Sequence, residues 1–250
     1  MTEAHRFDGR VALVTGGGRG IGAAISHCLA ARGAHVWVHY RRRAEPAEAV
    51  CAAIREAGGQ ASPISFDLRD AEGVQAGIRE VAAEHGLHVV VNNAAALADA
   101  PLMMLSEGDW QEVVDTNLSG AFRVCRAAVR PMMRQGSGVI VNVASVAAIR
   151  ASPTQANYSA AKAGLVGFSR TIARELAPKA IRVNTVVPGL IEVGMTERAN
   201  RRHLEQLMAQ IPSGEMGTAG DVAEAVAYLA SDAARYVTGA VLVVDGGLSL

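Results

Sequence analysis

A chain of 250 residues, half of them hydrophobic and only 19% charged, suits one α/β domain with a large buried core. Lysines plus arginines balance aspartates plus glutamates at 24 each, so no global field steers the molecule toward nucleic acid or an anionic membrane. No run of about 18 apolar residues occurs and residues 1–10 are polar, so neither a membrane span nor a signal peptide is expected, and the protein reads as cytoplasmic. The three cysteines, Cys28, Cys51 and Cys125, form no C-x-x-C pair and are expected to be buried free thiols of a reducing compartment.

Residues 10–15 form a short apolar run that ends in glycines and reads as a buried strand. It opens into Gly16-Gly17-Gly18-Arg19-Gly20-Ile21-Gly22, followed by an alanine-rich helical pattern to about Arg32. Glycine lets a backbone approach a phosphate closely, and the N-terminus of the following helix offers unpaired N–H groups and a positive dipole end. Residues 35–40 are the second strand, which runs into Arg41-Arg42-Arg43. A carboxylate about 20 positions past the glycines would bind a ribose 2′-hydroxyl, whereas arginines there favour a 2′-phosphate. Tyr40 occupies that position, three arginines follow it, and Arg19 lies within the glycine turn. The pattern favours NADP(H) over an ordinary solvated charge run.

Residues 45–58 read as a helix, 61–66 as a strand ending at Asp67-Leu68, and 71–85 as another helix. Residues 87–91 form a fourth strand that stops at Asn92-Asn93-Ala94-Ala95-Ala96. This alternation predicts a Rossmann-type, doubly wound parallel sheet of seven strands with helices on both faces. Ligands in such sheets sit at the carboxyl ends of the strands, so the glycine turn, Arg41, Asp67 and Asn93 fall along one edge. Residues 109–134 read as one long helical region, in which Asn117 suggests a kink or a bound water. The fifth strand, 139–143, delivers Ser145 to the same edge, and the sixth, 181–187, turns at Pro188-Gly189. Leu204, Leu207, Met208 and Ile211 keep helical spacing. They form either a packing face or the apolar side of a substrate lid at about 190–214. Arg198, Arg201 and Arg202 beside them read as a solvated face. A last helix, 221–230, and a last strand, 240–244, close at Asp245-Gly246-Gly247.

Tyr158 and Lys162 stand four apart in an alanine-rich helical run and so share one face. An unperturbed phenol, with a pKa of about 10, transfers protons poorly near neutrality. The neighbouring ammonium is expected to pull that pKa down. A Ser145 hydroxyl arriving from a strand end could hold a carbonyl oxygen against the phenol, making a proton-donating site for ketone reduction wherever hydride is supplied.

With these pieces in family order and at family spacing, the chain resembles the short-chain dehydrogenase/reductase family over essentially its whole length. The matching motifs are Thr15-Gly16-x-x-x-Gly20-x-Gly22, Asn92-Asn93-Ala94, Asn117, Ser145, Tyr158-x-x-x-Lys162, Pro188-Gly189 and Asp245-Gly246-Gly247. Stretches 155–165 and 188–192 are most similar to the 3-oxoacyl-[acyl-carrier-protein] reductases. The resemblance implies that Tyr158 is the general acid, that Ser145 polarises the carbonyl and that Asn117 holds a relay water. It also implies that Lys162 lowers the tyrosine pKa and binds the nicotinamide ribose. The implied NADP(H) site comprises Gly16, Arg19, Gly20, Ile21, Gly22, Tyr40, Arg41, Arg42, Asp67, Leu68, Asn93, Ala94, Ala95, Pro188, Gly189 and Ile191, with Tyr158 and Lys162, and no metal. The implied reaction is NADPH-dependent reduction of a 3-oxoacyl thioester, presented on an acyl carrier protein, in fatty-acid or polyketide-type synthesis by a homotetramer. The alternatives are a dehydrogenase of another small ketone or alcohol (a sugar, steroid or xenobiotic), or a weakly active NADP-binding subunit in a hetero-oligomer with a paralogue.

Three departures from the family pattern stand out. Ala95 replaces a usual glycine, and Val193 stands where a cofactor-binding threonine commonly follows Pro-Gly-x-Ile-x. The carrier-docking arginines of the reductases fall on Gly136 and Lys179, with Arg134 near the first. A standard fatty-acid carrier is therefore in doubt, while a related one stays open.

Overall fold

The apolar runs are buried on both faces, the condition a parallel sheet imposes. Every residue of β1 (Val11–Val14), β4 (Val89–Asn92) and β5 (Gly138–Val143) is buried. In the computed structural model, which describes residues 3–193 and 207–250, these strands join β2 (His35–Tyr40), β3 (Gln60–Ser65), β6 (Ile181–Pro188) and β7 (Val241–Val244). The sheet order is β3-β2-β1-β4-β5-β6-β7 and all pairings are parallel, the expected doubly wound arrangement.

Alternate strand residues feed two cores, as the period of two requires. Val14, Val89 and Val91 pack with α1 (Gly20–Ala30), α2 (Glu45–Glu56) and α7 (Ala219–Ala230) through Ile25, Ile54 and Val226. Leu13, Val90 and Ile140 pack on the other face with α3 (Ala71–Val81), α5 (Gly120–Gln135) and α6 (Ala156–Leu176) through Ile78, Val124 and Ala173. Side chains close both ends of α7. Thr218 and Asp221 form a capping box at the start of α7. The Arg182 guanidinium donates to the Leu229, Ala230 and Ser231 carbonyls at its end, where a cation also complements the helix dipole.

Two expectations change. The single helical region over 109–134 is α4 (Glu107–Val114), a π-helical turn (Asp115–Ser119) and α5, so the irregularity suggested by Asn117 takes the form of a π turn. The helix expected over 71–85 ends at Val81, and His88 precedes β4 by accepting a hydrogen bond from the Val11 N–H at 3.0 Å.

Cys51 and Cys125 are buried free thiols, but Cys28 is only half-buried, packed against the first core where α1 meets α7. Burial pushes the Cys28 thiol up to about 11 and the Cys125 thiol up to about 12, so neither is poised to react. Leu204, Arg198, Arg201 and Arg202 lie outside the described residues. Ile211 is buried, Leu207 and Met208 half-buried. Ile211 lies against Gly246, and Ser213 N–H donates to the Gly246 carbonyl at 3.0 Å, so this part of the stripe packs on the C-terminal turn. Among the described residues no helix is long and apolar enough to cross a membrane, and no His/Cys/Asp/Glu group could hold a metal ion.

Candidate active site

β1 and β4 are neighbours, so the strand order reverses between them and opens a crevice at their carboxyl ends. Thr15 and Asn93 join the two sides. The Thr15 hydroxyl accepts from the Asn93 and Ala94 N–H groups at 3.0 and 3.1 Å, and the Asn93 amide donates to the Thr15 and Gly16 carbonyls at 3.0 and 3.3 Å. The glycine turn is packed onto this frame. A Cβ at Gly22 would lie 2.2 Å from the Gly16 carbonyl oxygen, and one at Gly17 would lie 3.0 Å from that of Val14. Gly20 differs: its φ is +52°, and a Cβ there would meet no atom within 4 Å. Arg19, exposed and in extended backbone, precedes α1 without a side-chain cap, so the first-turn N–H groups of α1 remain available. This cradle fits the pyrophosphate of a dinucleotide.

The arginines after β2 lie at the crevice end that would take an adenosine. Arg41, Arg42 and Arg43 are exposed, and Arg41 approaches Glu112 of α4 at 4.0 Å. Tyr40 is half-buried against the first core. Asp67 is gripped by Arg69 at 2.7 Å, and that hydrogen bond holds its carboxyl down at about 2. Leu68 is buried, and its carbonyl accepts from Arg123 at 3.1 Å; the same guanidinium pairs with Asp115 at the start of the π turn, also at 3.1 Å.

The candidate reactive groups come from β5, α6 and the π turn, which packs against α6. Ser145 follows β5 and accepts from the Ala147 N–H at 3.2 Å, which fixes its hydroxyl. Tyr158, 3% exposed, is pushed up to about 12 by burial, opposed by a hydrogen bond from Ser145. The Lys162 ammonium donates to the Val143 carbonyl at 2.8 Å and lies 5.7 Å from the centre of the Tyr158 ring. Burial pulls Lys162 down to about 8. The expected lowering of the tyrosine pKa by its lysine is therefore not seen here: burial raises Tyr158 and lowers Lys162, and the group that opposes the tyrosine's rise is Ser145. Asn117, 2% exposed, spends its amide on Ala96, accepting from its N–H at 2.7 Å and donating to its carbonyl at 2.9 Å. That pair ties the loop after β4 to the π turn.

The remaining positions divide. Pro188 ends β6, and Gly189 admits no side chain, since a Cβ would lie 2.5 Å from that of Asp245. Ile191 is buried in the first core and Val193 packs against it, so both side chains face inward; for Ile191, a cofactor contact would have to come from its backbone. Ile21 is half-buried against the same core. Ala94 packs against Gly16, while Ala95 is exposed. Gly136, a left-handed residue ending α5, and Lys179 lie at the amino ends of β5 and β6, where the Gly138 N–H donates to the Ala180 carbonyl at 3.2 Å. That is the edge opposite Ser145. Thr15, His39, Arg69 and Arg123 also shape the site, although sequence reasoning gave them no role. Only Thr15, beside the glycines, carried a local signal.

The chain is similar to known proteins over nearly its whole length. A family model described as enoyl-(acyl carrier protein) reductase matches residues 16–249. The chain is 44% identical over 238 residues to the 3-oxoacyl-[acyl-carrier-protein] reductase FabG of Staphylococcus aureus, covering 95% of this chain and 97% of that protein. The Escherichia coli reductase of the same name is 40% identical over 243 residues, and nodulation protein G of a Rhizobium species 43% over 243 residues; each alignment covers 97% of this chain and 98% of the relative. A gluconate 5-dehydrogenase from Burkholderia cenocepacia, solved in complex with NADP and tartrate, is 33% identical and superposes with a TM-score of 0.93, covering 99% of this chain and 98% of that chain.

Proposed function

The chain belongs to the short-chain dehydrogenase/reductase family and is an oxidoreductase acting on a CH–OH/C=O pair, and we propose that it reduces a 3-oxoacyl thioester with NADPH. The observation that carries this reading is the convergence of the Ser145 and Tyr158 hydroxyls beside a dinucleotide cradle. Two hydroxyls meeting at one point suit a carbonyl oxygen rather than a carbon–carbon double bond, which distinguishes this chemistry from that in the family model's description.

When bound, NADPH supplies the hydride. Gly16, Gly20, Ile21 and Gly22 would hold the pyrophosphate, with Asn93, Ala94 and Ala95 closing the crevice. Arg19, Arg41 and Arg42 would take the 2′-phosphate beside Tyr40, and Asp67 and Leu68 would border the adenine. Pro188, Gly189 and the Ile191 backbone would face the nicotinamide half. Ser145 donates to the substrate carbonyl oxygen and holds it against Tyr158, which delivers the proton. Lys162 stands behind Tyr158 as the cation nearest the phenolate left after transfer, and would bind the nicotinamide ribose. Asn117 fixes the loop over the site and would hold the relay water with the bonding capacity its amide and backbone keep beyond Ala96.

The whole chain is read as one reductase domain working in the cytoplasm on an acyl group presented by a carrier protein. Exposed Phe122 and Met133 on α5, with Phe168 of α6 edge-on to Phe122 at 6.2 Å, support assembly into a homotetramer or with a paralogue. NADPH oxidation with an acetoacetyl thioester, with NADH as control cofactor, tests the reaction. Turnover with NADPH alone is expected. Faster turnover of free sugars or steroid ketones than of any thioester would overturn the substrate class.

A further inference from the structure

His39 lies at the end of β2, 2% exposed, and no step above uses it. Its side chain touches both neighbouring segments. The Gly16 N–H donates to Nδ1 at 3.2 Å, and Nε2 faces the Phe66 carbonyl at 2.9 Å. Its own carbonyl accepts from the Gly17 N–H at 3.0 Å, and its ring lies 4.1 Å from that of Phe66. A backbone N–H can only donate and a carbonyl can only accept, so the ring carries its proton on Nε2 and is neutral. Burial also pulls the ring down to about 4; the hydrogen bond to the Phe66 carbonyl and the charge of Asp67 oppose this without reversing it.

We infer that His39 is a positioning residue for the dinucleotide, fixing the spacing between the glycine turn, the arginines after β2 and the Asp67 corner. The inference rests on the NADP(H) reading above. Gly16 begins the turn that would cradle the pyrophosphate; it has a left-handed backbone, φ +62°, and its N–H donates to His39. Phe66 immediately precedes Asp67, so one rigid ring sets the gap that a two-part ligand must span. Holding two subsites at a fixed separation helps only a ligand that occupies both.

That logic supplies the test. NADPH bridges the subsites, whereas 2′-AMP carries only the adenine, ribose and 2′-phosphate. Affinities of both are measured by calorimetry on the wild type, His39→Leu and His39→Asn. His39→Leu is expected to weaken NADPH on the order of tenfold while changing 2′-AMP by less than about twofold. His39→Asn keeps an acceptor for the Gly16 N–H and is expected to recover most of that loss. Equal weakening of both ligands, or of neither, overturns the inference. Should His39→Leu fail to fold, the ratio of the two affinities in His39→Asn, lowered less than in a full loss but still lowered, carries the same decision. Nitrogen-15 correlation spectra of the free wild type provide a second readout, expected to show a protonated Nε2 and a bare Nδ1; a protonated Nδ1 overturns it. A wild type that binds NADH as tightly as NADPH contradicts the cofactor reading instead. NADH against AMP then makes the same comparison without the 2′-phosphate.

Discussion

Burial presses Tyr158 and Lys162 toward their neutral forms, so the phenol keeps its proton through neutrality, as a proton donor for carbonyl reduction must. Replacing Tyr158 with Phe removes only that hydroxyl. The expected outcome is a fall in kcat of roughly 10²–10⁴ with NADPH affinity nearly intact, read from steady-state kinetics and direct titration. Parallel loss of binding would make Tyr158 chiefly a cofactor ligand. Arg41 makes the complementary case. Its contact with Glu112 is long and exposed, so the guanidinium is available to a phosphate. Arg41→Asp should weaken NADPH on the order of tenfold or more while leaving NADH within about twofold, because a charge-assisted bond is exchanged for repulsion. Unchanged preference would mean that the arginine run is only surface. The four-residue spacing of Tyr158 and Lys162 made their partnership legible in the sequence. The direction of the tyrosine shift was not legible. It depends on how deeply α6 sinks against β5, and local pattern carries no measure of that dryness.

At the scale of elements, strands announced themselves because both faces of a parallel sheet must be apolar, and glycines and prolines marked where each ended. The π turn was hidden for the opposite reason. Every residue from 109 to 130 is compatible with an α-helix, and what interrupts it is a tertiary demand, the two bonds between the Asn117 amide and Ala96. Asn stood out only as a poor helix former. His39 was hidden in the same way, since a histidine inside an apolar strand carries no local sign of the Gly16 and Phe66 groups it joins. Asn117→Ala tests the π turn. It leaves the Ala96 N–H and carbonyl without their partner in a half-buried loop, which should cost about 1–3 kcal/mol in denaturant unfolding. The same change should lower kcat more than it raises KM, because the loop between β4 and α4 loses its tether to the turn packed on α6, the helix that carries Tyr158. A drop in stability alone, with kcat preserved, would confine Asn117 to a structural part.

For the whole molecule, the site and its cofactor cradle leave a signature in the pH dependence of stability. Stability rises with pH wherever the unfolded chain binds more protons than the folded one. His39, whose ordinary value is 6.5, is pulled down to about 4, so between those values only the unfolded chain takes up its proton and acidification destabilises the fold. Half-buried His35 and His88 are also lowered by burial and act with the same sign. Asp67, lowered from 3.8 to about 2, adds a further loss below pH 3.8. On the alkaline side Lys162 and Tyr158 oppose each other. Lys162, lowered from 10.5 to about 8, stabilises increasingly as pH rises between those values; Tyr158, raised from 10 to about 12, destabilises from pH 10 upward. Chemical denaturation between pH 7 and 4 should therefore show a steep loss of stability. His39→Asn, which cannot titrate, should flatten it by on the order of 3 kcal/mol, the linkage value of the shift in His39. The mutant starts lower at pH 7, because one buried bond is lost, so the two curves should approach each other toward pH 4. Parallel curves would mean that His39 keeps its ordinary pKa in the folded protein and takes up its proton alike in both states, so that its ring is not held neutral between the Gly16 N–H and the Phe66 carbonyl.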